Sequence, residues 1–275
     1  MADTSRDRQA FELAVHYLLS LEIAGLEPAL LERYMTLPAL TPRPDSAAGL
    51  TCRLLESAAS GGMRAGVIAG AIGGVDQLGK VLADFDPAWV IARYGQDWEA
   101  LLEEIVAVLA PRGKIRRAPR STWPLFCRTI LDAARFMGQF ADADDFYGWA
   151  DRLYADPRGR LGLPLLMEAE IFGIGFPLVC DFLKELGYTA FAKPDVHLSE
   201  IFTALGLCPE KASPYEMHRA ISRVADSCGR TAYAVDKIFW LIGSGDFYLN
   251  PELGNQGKIG RQKGAFIEHA RERMG

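Results

Sequence analysis

The sequence has few cysteines, and none of them form a pair at metal-binding spacing. Its 275 residues contain five, at positions 52, 127, 180, 208 and 228, and the nearest two are 20 residues apart. Zinc sites and cysteine-ligated iron–sulfur clusters need closely spaced pairs, so we expect neither. An odd number of widely spaced cysteines is typical of reduced thiols, and the sequence therefore predicts a cytoplasmic protein.

Long apolar runs are also absent. One of the longest, residues 66–75, has ten residues and contains four glycines, whereas a membrane-spanning helix needs about 20 apolar residues. Residues 1–6 lack the apolar core of a signal peptide, so we expect no membrane partner. The net charge of −5 argues mildly against nucleic acid, but a local basic patch matters more than the average.

Apolar residues are abundant, at 49% of the chain, and they recur at helical spacing. Phe11, Val15, Leu18 and Leu19 follow this spacing, as do residues within 98–109, 126–137, 221–224 and 235–242. No run alternates apolar and polar residues as a strand would, so the sequence predicts an all-α fold. Three prolines in residues 37–45 predict a loop, and the glycine-rich residues 243–264 predict an irregular tail before a last helix.

One segment stands out against the acidic average. Residues 112–120 carry five positive charges and no acid: Arg112, Lys114, Arg116, Arg117 and Arg120. One interpretation is an ordinary solvated loop. The other is contact with phosphates, where each cation displaces a counterion.

A Gly-Ile-Gly turn lies between two helical patterns. Residues 161–171 read as a helix, residues 172–176 as a tight hairpin, and Pro177 stands where a first helical turn accepts proline. Two glycines let backbone N–H groups approach a phosphate closely. Most such turns are only turns, so this motif by itself is weak.

Asp195 follows the hairpin, in the segment Ala192-Lys-Pro-Asp-Val-His-Leu198. It precedes a helix that we expect to run to Leu205, so the simple interpretation is an N-cap. The 20 residues from Gly175 to Asp195 leave room for one helix and a short loop, which can bring the carboxylate back beside the hairpin.

Together these segments resemble the helix-hairpin-helix DNA glycosylase superfamily, which includes endonuclease III and the adenine and alkylbase glycosylases. That family has Leu-Pro-Gly-Val-Gly-x-Lys-x-Ala followed by Val-Asp-Thr-His. Here the segments read Ile171-Phe-Gly-Ile-Gly-Phe-Pro-Leu-Val179 and Pro194-Asp-Val-His197, and residues 235–245 resemble the family's late Trp-Leu-x-x-x-Gly helix. The resemblance covers roughly residues 97–248 and is strongest over 165–205.

The resemblance implies a two-lobed helical glycosylase fold with a helix-hairpin-helix motif. Residues 97–207 would form a six-helix barrel that contains the motif. Residues 1–96 would form a second helical lobe, to which the C-terminal helices in 208–275 return.

The resemblance also implies a DNA glycosylase, in repair or in defence against phage. Such an enzyme flips out a damaged or modified base of double-stranded DNA and hydrolyses its glycosidic bond with an Asp-assisted water, which leaves an abasic site. Asp195 would be catalytic. The DNA-binding residues would be Gly173, Ile174, Gly175, Phe176, Lys193 and His197, with the five cations of residues 112–120. Trp123, Phe126 and Tyr147 are candidates for the base pocket, although each such residue is more often core.

We expect no metal, no cofactor and no obligate protein partner; the alternative for the cofactor is a monovalent cation at the hairpin. Three departures from the family pattern matter. Pro177 stands where bifunctional members have a lysine nucleophile, which favours a monofunctional enzyme. Glu200 stands where an arginine is frequent, and the four-cysteine cluster of some members is missing.

Two rival interpretations stay open at this point. One is a non-catalytic helix-hairpin-helix DNA-binding protein. The other is an unrelated all-α interaction protein in which the turn is coincidental. The acidic cluster Asp142, Asp144 and Asp145 resembles an acid–base pair, but it predicts the capped start of a helix instead.

Overall fold

The computed structural model describes residues 4–21, 23, 26–36, 42–61, 65–246 and 259–275. All regular secondary structure in these residues is helical, so the all-α prediction is confirmed. In chain order the α-helices of the described residues are α1 (Thr4–Ser20), α2 (Pro28–Thr36), α3 (Ala47–Ala59), α4 (Gly70–Ile72), α5 (Pro87–Tyr94), α6 (Trp98–Leu109), α7 (Thr122–Met137), α8 (Ala143–Ala155), α9 (Gly162–Glu170), α10 (Phe176–Glu185), α11 (Val196–Ala204), α12 (Pro214–Cys228), α13 (Ala232–Ser244) and α14 (Lys263–Met274). A π-helical turn (Ala65–Ala69) precedes α4, and a 3-10 helix (Val75–Lys80) follows it.

The chain divides into two compact units. Unit 1 comprises Met1–Pro42 and Leu183–Gly275, and unit 2 comprises Arg43–Phe182. The division falls within α10, after Phe182. The predicted boundaries at residues 96 and 207 do not coincide with these limits: residues 43–96 lie in the same unit as 97–182, and residues 183–207 lie with the two termini.

Short polar side chains begin many of the helices. Ser213 caps α12 and forms a capping box with Glu216, in which each side chain bonds the other residue's backbone N–H. Asp142 caps α8 by accepting a hydrogen bond from the Asp145 N–H at 2.9 Å. The prediction that the acidic cluster starts a helix is therefore confirmed.

Helix α13 is the centre of unit 1, where it packs against α1, α2, α11, α12 and α14. Ten of its 13 residues are buried, because a helix surrounded on several sides has almost no solvent face. Two of the buried residues, Asp236 and Lys237, are charged.

Helix α7 has the corresponding role in unit 2, with α3, α5 and α6 packed around it. Aromatic side chains extend this core through edge contacts: Phe136 lies 5.7 Å from Phe140, which lies 5.3 Å from Phe146, measured between ring centroids. Such edge-on contacts add to the free energy that area burial supplies.

The two predicted irregular segments lie partly outside the described residues. In the first, residues 42–45 have no regular structure and 37–41 are not described. The prediction of an irregular tail from residue 243 is wrong at both ends, because α13 continues to Ser244 and α14 begins at Lys263. Gly245 ends α13 with a left-handed φ of 75°, which glycine adopts without strain.

None of the five cysteines, all of which lie in the described residues, forms a disulfide bond. Burial raises the pKa of Cys127 to about 12, so this thiol is unreactive near neutral pH. None of the helices in the described part of the chain is long and apolar enough to cross a membrane.

Candidate active site and nucleic-acid interface

The segment that leads to Asp195 in unit 1 is held through its backbone. The Ala192 N–H donates to His218 Nε2 at 3.2 Å, and the Lys193 N–H donates to Asp236 Oδ2 at 3.0 Å. The Asp195 N–H then donates to the Lys193 carbonyl at 2.8 Å. Side chains of α12 and α13 therefore determine where the carboxylate of Asp195 lies.

Asp195 is the N-cap of α11. Its Oδ1 accepts hydrogen bonds from the His197 N–H at 2.9 Å and the Leu198 N–H at 3.1 Å. Its Oδ2 has no hydrogen-bond partner among the described residues. The cap thus fixes the orientation of the carboxylate and leaves one oxygen for another group.

The surroundings of Asp195 raise its pKa above the ordinary value for aspartate. Burial is the largest cause, and the negative charge of Asp236 adds to it. The Leu198 N–H and the charges of His197 and Lys193 oppose this rise in pKa. A carboxylate with a raised pKa binds a proton more readily, which suits a base or a group that stabilises nearby positive charge.

Asp236 and Lys184 form a buried ion pair behind this segment. Lys184 Nζ lies 2.6 Å from Asp236 Oδ2, and the two residues are 5% and 1% exposed. The other carboxylate oxygen, Asp236 Oδ1, is buried without a hydrogen-bond partner among the described residues. Sequence reasoning missed this pair. The available signal was a pair of charged residues, 236 and 237, inside an otherwise apolar helix.

His197 packs against α13 at Gly243. A Cβ atom at position 243 would lie 2.5 Å from the His197 Cβ, closer than any real side chain allows. The His197 Nδ1 is buried and has no hydrogen-bond partner among the described residues. His197 is therefore a packing residue of unit 1 in this structure, two positions after the candidate catalytic carboxylate.

The hairpin in unit 2 has the predicted turn, with a left-handed φ of 75° at Gly173. Two of its backbone amides bond carboxylates of the protein: the Phe172 N–H donates to Asp132 Oδ2 at 3.1 Å and the Phe176 N–H to Glu168 Oε1 at 3.0 Å. The Phe176 amide therefore already has an anionic acceptor in Glu168, and contact between Phe176 and a phosphate stays a prediction. The side chains of Ile174 and Phe176 are both 2% exposed, so they face the core.

The basic segment of unit 2 divides into two groups. Arg112 donates to the Gly70 carbonyl at 2.6 Å, and Arg117 holds both oxygens of Glu103 at 2.7 and 2.9 Å. The exposed cations without a hydrogen bond or ion pair to the described residues are Lys114, Arg116 and Arg120. Three of the five predicted cations thus have no hydrogen-bond or ion-pair partner among the described residues.

The three candidates for the base pocket also lie in unit 2. Trp123 and Phe126 are 2% and 0% exposed, so neither presents a face on which a base could stack. Tyr147 is partly exposed, but its hydroxyl donates to the Pro44 carbonyl at 2.9 Å, and burial raises its pKa to about 12. Trp123 and Phe126 are therefore core residues in this structure.

None of the described parts of the chain brings together three His, Cys, Asp or Glu side chains that could hold a metal ion. The monovalent cation considered for the hairpin stays a prediction. No model of a protein family matches the chain, and no curated protein matches it.

The chain is similar to the solved structure of a glycosylase/lyase. It is the 8-oxoguanine glycosylase/lyase of Methanocaldococcus jannaschii, in complex with a 15mer DNA containing 8-oxoguanine. The TM-score is 0.52 at 14% sequence identity, and the likeness covers 84% of this chain and 97% of the other. At this identity the likeness defines the fold: the chain has the all-α fold of that glycosylase.

Proposed function

We propose that this protein is a DNA glycosylase that hydrolyses the bond between a damaged or modified base and its sugar. Two lines of support are independent of each other. The fold is that of a solved glycosylase/lyase, and Asp195 is an N-cap whose pKa is raised and whose Oδ2 has no hydrogen-bond partner among the described residues. Asp195 carries the proposal, because fold by itself does not determine function.

The arrangement of Asp195 suits the chemistry of base removal. As the glycosidic bond lengthens, positive charge develops on the sugar, and an ionised carboxylate beside it lowers the energy of that state. The Oδ1 atom is held by two backbone amides, so Oδ2 is the atom we assign to the sugar or its water. Water oxygen then bonds the sugar carbon, its proton passes to Asp195, and the base leaves with the bonding electrons.

The proposed enzyme is monofunctional. A lyase step needs an amine that attacks the sugar carbon, and at the position of the family's lysine this chain has Pro177, whose nitrogen is part of a peptide bond. The nearby Lys184 has its ammonium group in the buried pair with Asp236. The neighbouring structure is by contrast named a glycosylase/lyase, so this subtype is the finer part of the proposal.

The proposed partner is double-stranded DNA, bound through its phosphates. Lys114, Arg116 and Arg120 are exposed and form no ion pair with described residues, so each can displace a counterion from the backbone. The identity of the base is open among oxidised purines, alkylated purines, mismatched bases and bulky modified pyrimidines. A cytoplasmic role in repair and a role against phage with modified genomes are both compatible with this chemistry.

The test is release of a base from a panel of duplexes. The panel contains 8-oxoguanine, alkylated purines, mismatches and phage DNA with hypermodified cytosine, with released bases detected by mass spectrometry and strands by gel. We expect one base to be released, with nicking only after alkali. Nicking without alkali, together with a covalent enzyme–DNA adduct trapped by borohydride, would overturn the monofunctional subtype.

The decisive variant is Asp195→Asn, which keeps a good N-cap but removes the charge. Base release should fall by about 10²- to 10⁴-fold while DNA affinity is retained. Asp142→Asn is the control, since Asp142 is also an aspartate N-cap, of α8 in unit 2, and accepts one backbone N–H; this variant should leave release unchanged. Equal rates for wild type and Asp195→Asn would refute the assigned role.

A second candidate function is a non-catalytic DNA-binding protein with the glycosylase fold. Pro177 in place of the family's nucleophile is the observation that favours it. This alternative predicts salt-dependent binding to duplex DNA with no base released from any member of the panel. The same experiment therefore separates the two functions.

A further inference from the structure

Arg128 lies between two aromatic rings on unit 2. Its guanidinium carbon is 5.1 Å from the centroid of the Trp98 ring and 6.0 Å from that of Phe172. Trp98 begins α6, Arg128 lies on α7, and Phe172 immediately precedes the hairpin glycine Gly173. The Phe172 side chain is 43% exposed, so the stack lies at the surface beside the hairpin.

The Arg128 guanidinium has no anionic partner among the described residues. Asp132, four residues later on α7, is the ordinary partner for such an arginine. Its Oδ2 accepts the Phe172 N–H and its Oδ1 pairs with Arg135. Within the described residues Arg128 forms neither a hydrogen bond nor an ion pair.

Two other arginines of unit 2, Arg93 and Arg117, differ from Arg128 in this respect. Arg93 lies 3.1 Å from Glu104, and Arg117 holds both oxygens of Glu103. A partly buried guanidinium that contacts two rings, with no hydrogen bond to the described residues, has already lost part of its conformational freedom. It is therefore prepared to bind an acceptor from outside the chain.

We propose that the Trp98–Arg128–Phe172 stack is a binding site for a phosphate of the DNA backbone. A phosphodiester presents two oxygens that match the fork of a guanidinium. DNA is the occupant we assign because Lys114, Arg116 and Arg120 lie on the segment that joins α6 to α7, the two helices that supply Trp98 and Arg128. The proposal rests on the proposed function and adds to it a residue that the family motif does not contain.

The test compares binding of the full-length protein to a fluorescent, undamaged 15-base-pair duplex over a range of salt concentrations. Arg128→Gln should weaken binding about tenfold at low salt, the equivalent of about 1.4 kcal/mol. It should also lower the slope of log affinity against log salt by about 0.9, the value for one lost phosphate contact. The loss should be equal for duplexes of different sequence, because a phosphate carries no sequence information.

Arg93→Gln is the matched control, because it removes the same charge from an arginine of unit 2 that has a carboxylate partner. It should change affinity by less than Arg128→Gln and leave the slope near the wild-type value. Phe172→Leu removes one exposed ring and keeps the arginine, so affinity should fall about threefold. Melting temperatures measured alongside show whether each variant is folded. If Arg128→Gln does not fold, the affinity of Phe172→Leu tests the proposal instead.

The outcomes separate this site from the proposed function. A wild-type affinity and slope for Arg128→Gln, in a protein that binds DNA, would overturn the phosphate site and leave the glycosylase proposal intact. An equal loss for Arg128→Gln and Arg93→Gln would also overturn it, since net charge alone would then account for the effect. Failure of the wild type to bind any duplex would overturn both.

Discussion

The charged residues near Asp195 in unit 1 and the cations of residues 112–120 in unit 2 are arranged in opposite ways. In unit 1 the charged groups Asp236 and Lys184 are buried and paired with each other. In unit 2 the cations Lys114, Arg116 and Arg120 are exposed and form no ion pairs with described residues. The first region holds a carboxylate in one place, and the second offers charge to a partner.

The two arrangements have different physical consequences. Burial and a like charge raise the pKa of Asp195, and they do so because water cannot screen the interaction. Exposed cations keep their charge and are screened by salt. We therefore expect the proposed base release to be sensitive to small displacements of the buried groups near Asp195. We expect the proposed DNA binding to depend on ionic strength.

The largest effect on stability is expected from breaking the buried pair. Lys184→Met leaves the Asp236 carboxylate buried without its counter-ion, which typically costs about 3–5 kcal/mol. The free energy of unfolding, from urea denaturation, measures this cost. The double variant Lys184→Met, Asp236→Leu should recover much of the loss, because no unpaired charge remains.

The control for this prediction is Arg117→Gln in unit 2. It breaks the pair with Glu103, which lies on the surface, so the midpoint of unfolding should not change measurably. A midpoint equally lowered in both variants would mean that burial does not distinguish the two regions.

A smaller effect is expected from Gly243→Ala. The new Cβ would lie 2.5 Å from the His197 Cβ, so α11 or α13 must shift, at a cost of about 1–3 kcal/mol. Because His197 is two residues after Asp195, base release should fall as well. Release per folded molecule, with the fraction folded taken from circular dichroism, measures the second effect.

Gly148→Ala is the counterpart in unit 2, also inside a helix. The nearest atom to its new Cβ is a flexible guanidinium nitrogen of Arg152 at 3.8 Å. Alanine there should raise stability by about 0.5–1 kcal/mol, because glycine loses more backbone freedom on folding. A destabilised Gly148→Ala, or an unchanged Gly243→Ala, would contradict the packing described for the two helices.

The smallest expected effect is on the pH dependence of stability. The pKa of Asp195 is raised in the folded protein, so the folded state holds this proton more tightly than the unfolded chain does. The ionised form therefore costs stability at neutral pH, and the cost disappears as the pH falls below the pKa of the unfolded chain, about 3.9. Asp195→Asn should melt above the wild type at pH 7 and at the wild-type temperature below about pH 4.

Asp142→Asn provides the comparison at an exposed N-cap of unit 2. Asn and Asp are similar caps, so its melting temperature should stay near that of the wild type throughout this range. Base release by the wild type should in turn decline as the pH falls through the raised pKa of Asp195, because the neutral carboxyl cannot stabilise positive charge. A melting temperature that Asp195→Asn lowers at pH 7 would contradict the direction of the pKa shift.

Local patterns predicted several of the helices and some of their ends. Prolines, glycines and capping residues act on backbone groups only a few positions away along the chain. Asp142 and Asp195 were therefore identifiable as N-caps from the sequence. The all-α fold followed from the spacing of apolar residues. The hairpin turn also followed, since glycine is the residue that accepts the φ found at Gly173.

Long-range contacts could not be read in this way. The pairing of Lys184 with Asp236 joins residues 52 positions apart, and the bond from the Phe176 N–H to Glu168 decides whether an amide is available for a ligand. Trp123 and Phe126 are aromatic, as residues of a base pocket are, but the structure places both in the core. Burial depends on what the rest of the chain packs against a residue, which its neighbours in sequence do not reveal.

The sequence by itself determined the helical fold, the hairpin and the helix-capping carboxylate, because each depends on short-range geometry and on the period of apolar residues. The tertiary structure decided which charges are buried, which cations have partners and which aromatic rings are exposed. Those properties depend on desolvation and distance between segments far apart in the chain. Asp195 depends on both kinds of information. Its role as an N-cap follows from the local sequence, whereas its raised pKa comes from burial and from Asp236 on α13.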